Sequence, residues 1–188
     1  MYLIFTKEIT KGKTVSRLIG TVGFVILTAL GAFVRIPLPF SPVPITLQTF
    51  FVLLSGAMLG GTLGPSSQLL YLLLGAAGLP IFTRAGSGLL YLSGPTSGYL
   101  FGFVLASLFV GRSISKISQN FISVFGLLFA ADLILLFCGT IWLRLVLGFS
   151  WPKLFLIGFL PFIPGDIIKT LACAVVYSRL YKRSRQIF

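Results

Sequence analysis

The chain has 188 residues, of which 56% are hydrophobic and only 10% charged, and its mean hydropathy is +1.04. Soluble domains carry roughly 25% charged residues, so this composition excludes an ordinary cytosolic or secreted globular protein and places the chain in lipid. There is no His, and the acidic side chains are Glu8, Asp132 and Asp166; a His-ligated metal and a Ser-His or Cys-His pair are therefore impossible.

The same inventory points away from an enzyme. No stretch matches the phosphate-binding loop pattern, so ATP-driven work needs a separate ATPase. The formal charge of +12 does not suggest nucleic acid, because the bases collect at the chain ends and in one loop rather than on an aromatic-interleaved stripe. Cys138 and Cys173 lie in apolar runs and read as reduced packing residues. The charges within Met1 to Lys13 argue against a cleaved signal peptide.

A hydrocarbon core of about 30 Å takes about 20 helical residues. The apolar runs predict an all-α integral membrane bundle of six helices: 18–34, 45–59, 65–79, 96–111, 121–147 and 153–177. Residues 1–17 form a basic N-terminal segment, 18–180 the membrane domain and 181–188 a basic tail. In the first span, Thr28 and Ala32 make a small-xxx-small pair beside Gly31. Such a face serves either packing within the chain or docking of another membrane subunit. Four prolines (Pro37, Pro39, Pro42, Pro44) then impose an extended, stiff connection. Gln48 follows at the outer end of the second helix, pointing inward to a helix–helix hydrogen bond or a ligand.

The connection 79–99 after the third span is long, rich in Gly and Pro, and poor in charge. It is expected to fold back over the bundle as a re-entrant outer loop between the third and fourth helices, since irregular backbone at membrane depth must be buried in protein or line a cavity. Within it Arg84 is either a surface residue or a carboxylate partner, and Tyr91 and Tyr99 either line a pocket or join the interfacial aromatic belt. Gly94-Pro95-Thr96 suits a helix start, with Thr96 as cap.

Charged residues at the centre of a membrane helix cost about 2.5–3.5 kcal/mol each on insertion scales. Asp166 and Lys169 stand three apart in the sixth span and so share a face; they form a self-compensating ion pair or a binding site. Pro161 and Pro164 disturb the helix just before them, and Gly165 offers close approach to the backbone. Asp132, mid-span in the fifth helix, pairs with Lys169, faces a cavity or packs in protonated form.

Four segments carry a resemblance: Pro42-Val43-Pro44-Ile45-Thr46-Leu47-Gln48, Gly75 to Phe82, Gly94 to Phe103, and Pro164-Gly165-Asp166-Ile167-Ile168-Lys169. Together they are similar to the BioY family, the biotin-specific S components of energy-coupling factor (ECF) transporters, over roughly Arg17 to Arg179. The resemblance implies a six-helix subunit that captures biotin from outside for uptake with a transmembrane coupling subunit and two ATPases. It needs no cofactor or metal; the alternatives are an S component for another vitamin and a non-catalytic membrane scaffold. It also implies substrate contacts at Asp166, Lys169 and Gln48, and docking of the coupling subunit near Thr28 and Ala32. Ser97 departs from the family's Gly. On chemistry, Asp166 is expected to accept from the ureido N–H groups and Lys169 to take the carboxylate.

Orientation follows from Lys and Arg. Ten of them (Lys7, Lys11, Lys13, Arg17, Arg112, Lys116, Arg179, Lys182, Arg183, Arg185) fall on the side of the termini and four (Arg35, Arg84, Arg144, Lys153) on the other. Both termini are thus expected in the cytoplasm of a bacterial inner-membrane, multi-pass protein. A cysteine at Ser184 is expected to resist an impermeant thiol reagent in intact cells while one at Ser87 reacts; labelling at Ser184 from outside would reverse the orientation.

Overall fold

The computed structural model describes residues 2–187, with side chains over 14–181. The basic end segments, with Lys7, Lys11, Lys13, Lys182, Arg183 and Arg185, lie outside the described side chains. The chain is mainly helical: α1 (Tyr2–Phe33), α2 (Gln48–Ala76), a short α3 (Gly88–Tyr91), α4 (Ser97–Ser113), α5 (Phe121–Leu147), α6 (Trp151–Gly158) and α7 (Ile163–Ile187). Stretches 14–33, 48–76, 121–147 and 151–181 are long and apolar enough to cross a membrane, and α4 is a shorter apolar helix.

α2 is broken at Gly60, whose φ of 79° and ψ of −173° are open only to glycine. The halves run back along each other: Gln68 donates to Ser55 Oγ, and Gln48 donates to Tyr71. The chain leaves the break already helical at Gly61 instead of at Pro65, because a proline one turn into a helix forfeits only a single backbone bond. At 1.5 Å per residue the first half, 48–59, is about 18 Å long, well short of the hydrocarbon core.

α5 has the bounds read from the sequence, and the reason is local. Asn120 Oδ1 accepts the Ser123 N–H at 2.8 Å, and Gly148 closes the other end in the left-handed region. α6 and α7 follow as one path interrupted at 159–162. Phe159 leaves helical torsions, Leu160–Phe162 form a 3-10 turn, and Pro161 and Pro164 flank the junction. Thr140 donates to Gly158 O and Tyr177 to Gln119, so this path runs antiparallel to α5. The proline-rich connection closes a two-residue antiparallel ladder, β1 (Arg35–Ile36) with β2 (Ile45–Thr46). Leu47 N–H then donates to the carbonyls of Gly31 and Val34, returning the chain to the end of α1.

Three expectations are refined. Thr28 and Ala32 are fully buried, with Thr28 Oγ1 donating to Gln68 at 3.4 Å. The lipid-facing stripe of α1 is instead Leu18, Ile19, Val22, Ile26 and Leu30. The small pair lies inside the bundle, where it admits α2. Thr96 stands before α4 with helical torsions and makes no side-chain cap; Ser97 takes the first helical position, its Oγ donating to the Tyr91 carbonyl, so the Ser is accommodated without strain. At Gly165 an added Cβ would make only an ordinary contact with Ile45, so no neighbouring protein atom requires the glycine.

Leu at both Thr28 and Ala32 is therefore expected to overpack the α1–α2 contact by at least 1–3 kcal/mol. Ligand binding should fall together with transport, and the melting temperature in detergent should drop. Intact binding and stability with lost transport would restore the docking assignment.

Candidate functional site

The end of the bundle away from the bend of α2 encloses a cavity that is open at its mouth. Its walls come from the proline-rich connection (Val43, Pro44, Thr46), the start of α2 (Gln48, Thr49), the 79–96 connection (Thr83, Tyr91, Thr96), α4 (Tyr99, Leu100, Phe103), α5 (Leu135, Leu136), Phe162, and α7 (Asp166, Lys169).

Asp166 and Lys169 form the polar end. Lys169 Nζ lies 2.5 Å from Asp166 Oδ1, with Asp166 1% and Lys169 11% exposed. The ammonium also donates to the Thr46 carbonyl at 3.1 Å and to Thr49 Oγ1 at 2.5 Å. A lysine has three donors, and all three are engaged. The pair is thus both self-compensating and part of the cavity wall.

A second polar chain crosses the wall. Thr46 Oγ1 donates to Gln48 Oε1 at 3.3 Å, Gln48 Nε2 to Tyr71 Oη at 2.7 Å, and Tyr71 Oη to the Ile81 carbonyl at 3.0 Å. Gln48 keeps one amide hydrogen and one oxygen lone pair beyond these bonds. The helix–helix bond and the cavity-facing position hold together in this residue.

Aromatic rings supply the apolar surface, and glycines make room for them. Tyr99 donates to the Gly158 carbonyl, and a Cβ at Gly139 would run into its ring. Phe82 is completely buried against Gly75. It stacks on Tyr91 at 4.9 Å and meets Tyr71 edge-on at 5.4 Å, while Tyr71 in turn stacks on Phe103. Tyr91 is further held by Thr83 at 2.5 Å. The 79–96 connection is thereby packed onto the bundle rather than splayed outward. Both tyrosines singled out in the sequence line the cavity.

Arg84 is absent from that lining. It borders an adjoining vestibule with Pro42, Pro44, Tyr91, Gly94 and Pro95, which shares Pro44, Thr83, Tyr91 and Thr96 with the cavity. Arg84 and Ala85 both have positive φ, 59° and 55°, a conformation that costs non-glycine residues free energy and is held by surrounding contacts. Here Phe82 N–H donates to the Gly86 carbonyl, closing the tight turn around them.

Thr46, Thr49, Phe103 and Phe162 line the cavity unanticipated. Thr49, one residue from Gln48 in an otherwise apolar run, carried a signal; Phe103 and Phe162 carried none, being two among 19 phenylalanines.

The BioY family model matches residues 6–186. A protein of Lysinibacillus sphaericus named a probable biotin transporter BioY is 42% identical over 168 residues, covering 85% of this chain and 83% of its own length. One of the same name from Pyrococcus horikoshii is 40% identical over 157 residues, covering 84% of this chain and 91% of its own. Among solved structures, the S-component for biotin from an ECF-type ABC transporter superposes with a TM-score of 0.85 at 28% identity, over 90% of this chain and 92% of that one. A match over nearly the whole length, with three of the four sequence segments lining one cavity, means that the chain belongs to the BioY family.

Proposed function

We propose that this chain is the substrate-binding membrane subunit that captures biotin from outside the cell and delivers it for ATP-driven uptake with an ECF coupling subunit and two ATPases. The observation that carries this reading is the cavity itself: a largely apolar, aromatic-walled chamber with one buried acid–base pair and one amide at its end. Biotin presents a fused bicycle and an aliphatic chain, with a ureido group at one end and a carboxylate at the other. The similarity to proteins named biotin transporters and to a solved S-component for biotin supports the same ligand.

In this reading the chain crosses the cytoplasmic membrane six times, with the two halves of α2 counted separately and the 79–96 connection as the re-entrant outer element. Both termini face the cytoplasm, as the Lys/Arg asymmetry suggests. The cavity then opens outward and the basic end segments meet the anionic leaflet.

The distances favour a different division of labour at the ligand from the one expected. Asp166 and Lys169 are in contact, whereas the ureido and carboxylate of biotin lie at opposite ends, separated by the ring system and four methylenes. A contact pair serves one end. We assign the pair to the ureido end: Asp166 accepts from its N–H groups, Gln48 donates its remaining amide hydrogen to its carbonyl, and Lys169, its own donors engaged, holds Asp166 in place. The carboxylate then lies toward the vestibule, where Arg84 is the cation.

Two measurements test this. Purified protein is expected to carry biotin, detected by mass spectrometry, or to bind added biotin saturably; absence of both would end the biotin reading. Asp166→Asn and Lys169→Ala each strand a buried charge, at about 2–5 kcal/mol, or roughly 30- to several-thousand-fold in affinity. Biotin and its uncharged amide are expected to lose affinity equally in both variants. Arg84, being exposed, contributes about tenfold, and Arg84→Ala should weaken biotin but not the amide. Selective loss of the anion in Lys169→Ala would return the carboxylate to Lys169.

A further inference from the structure

Asp132 is the one acidic residue among the described side chains that the cavity does not use. It is 1% exposed, and neither carboxylate oxygen has a donor among the described residues. The register of α5 against the α6–α7 path brings it to Asp166. Thr140 bonds Gly158; Asp132 lies eight residues before the former and Asp166 eight after the latter. Asp132 thus stands in the electrostatic field of both Asp166 and Lys169. The remaining titratable neighbour on α7 is Cys173; on α4, Tyr99 lies beside Asp166. α2 carries no charged residue between Gln48 and Ala76.

Counting charges and donors decides what such a trio can be. Two carboxylates and one ammonium leave a net negative charge inside an apolar bundle, which is costly. Lys169 cannot relieve it, since its three N–H donors are already placed on Asp166, Thr46 and Thr49. Two carboxylate oxygens in contact repel unless a proton lies between them. One proton removes both problems: the trio becomes neutral, and the otherwise unpartnered Asp132 gains a hydrogen bond.

We propose that Asp132 is a positioning residue for ligand capture, a carboxylic acid whose O–H donates to the Asp166 carboxylate and holds it against Lys169. Asp166 has room for this. Its two oxygens accept about four hydrogen bonds; Lys169 and Asp132 take two, leaving the cavity side for a pair of ligand N–H groups. Asp132 touches no ligand; it fixes the direction in which Asp166 offers its free lone pairs. This rests on the biotin reading for its consequence, though not for the proton itself.

The test uses the full chain purified in detergent, read in two independent ways. Infrared spectra at neutral pH are expected to show the C=O stretch of a protonated carboxyl, shifted in deuterated solvent. That band should vanish in Asp132→Asn and persist in Glu8→Gln. With three carboxylic side chains in the protein, the assignment is direct. In biotin binding, Asp132→Leu, which removes the donor without adding a charge, is expected to weaken affinity about tenfold. Asp132→Asn, whose amide N–H still reaches Asp166, should rescue most of that loss. A wild-type spectrum with ionised carboxylates alone, or Asp132→Leu binding as tightly as Asp132→Asn, would overturn the proposal. If wild-type protein shows the band but binds no biotin, the biotin reading fails while the proton bridge stands.

Discussion

The ammonium of Lys169 is the constraint around which the cavity-bearing half of this bundle is arranged. A cation in an apolar interior must find a counter-charge and acceptors for all its protons, or the segment carrying it will not stay buried. Here the counter-charge comes from its own helix, at Asp166, and the two further acceptors from Thr46 and Thr49. Those acceptors lie more than a hundred residues away in sequence. Their engagement draws the start of α2 and the end of the proline-rich connection onto α7. The prolines matter for the same reason: an extended segment leaves the Thr46 carbonyl free to accept, where a helix would have consumed it.

Once that corner is set, the remaining wall depends on where backbone can come close. Gly139 lets Tyr99 lie flat on α5, and Gly75 lets Phe82 sink into the end of α2. Phe82 then carries Tyr91, so the connection after α2 is anchored by rings stacked on rings. A cavity built in this way is lined by large side chains but located by the smallest ones. Replacing a ring changes the shape of the chamber, whereas adding a methyl to one of these glycines displaces the ring altogether.

The opposite half of the bundle is closed by different means. Below the cavity, Ser55, Ser107, Gln68 and Thr28 form a buried hydrogen-bonded seam between α1, the two halves of α2, and α4. Gly56 and Gly64 bring the two halves of α2 together, and Gly60 and Gly111 bring the bend against α4. Within a membrane such polar contacts hold helices that lipid gives no hydrophobic reason to associate. The result is a bundle tied by buried polar contacts near the bend of α2, with the aromatic-walled cavity toward the other end.

Much of this was legible in the chain alone. Composition dictated the membrane, because 10% charge cannot cover a soluble surface. α5 kept its predicted bounds because Asn120 and Gly148 are local signals that need no tertiary partner. The paired placement of Asp166 and Lys169, three apart on a helix, is likewise a matter of helical geometry. Tyr91, Tyr99 and Gln48 were identified as inward candidates because polar tips in apolar runs must find partners. What the chain alone could not decide is which partner each face meets. Helical periodicity marks Thr28 and Ala32 as a small face, yet only packing shows that α2 occupies it. Asp132 and Asp166 are 34 positions apart, and the register of two antiparallel helices, broken at Phe159, makes them neighbours. Lys169 likewise has a spacing that announces one carboxylate, while the acceptors that exhaust its donors are supplied by a distant segment. Local chemistry states what a side chain requires; the tertiary fold decides who supplies it, because distances between remote segments are set by the whole packed bundle and by no spacing within the sequence.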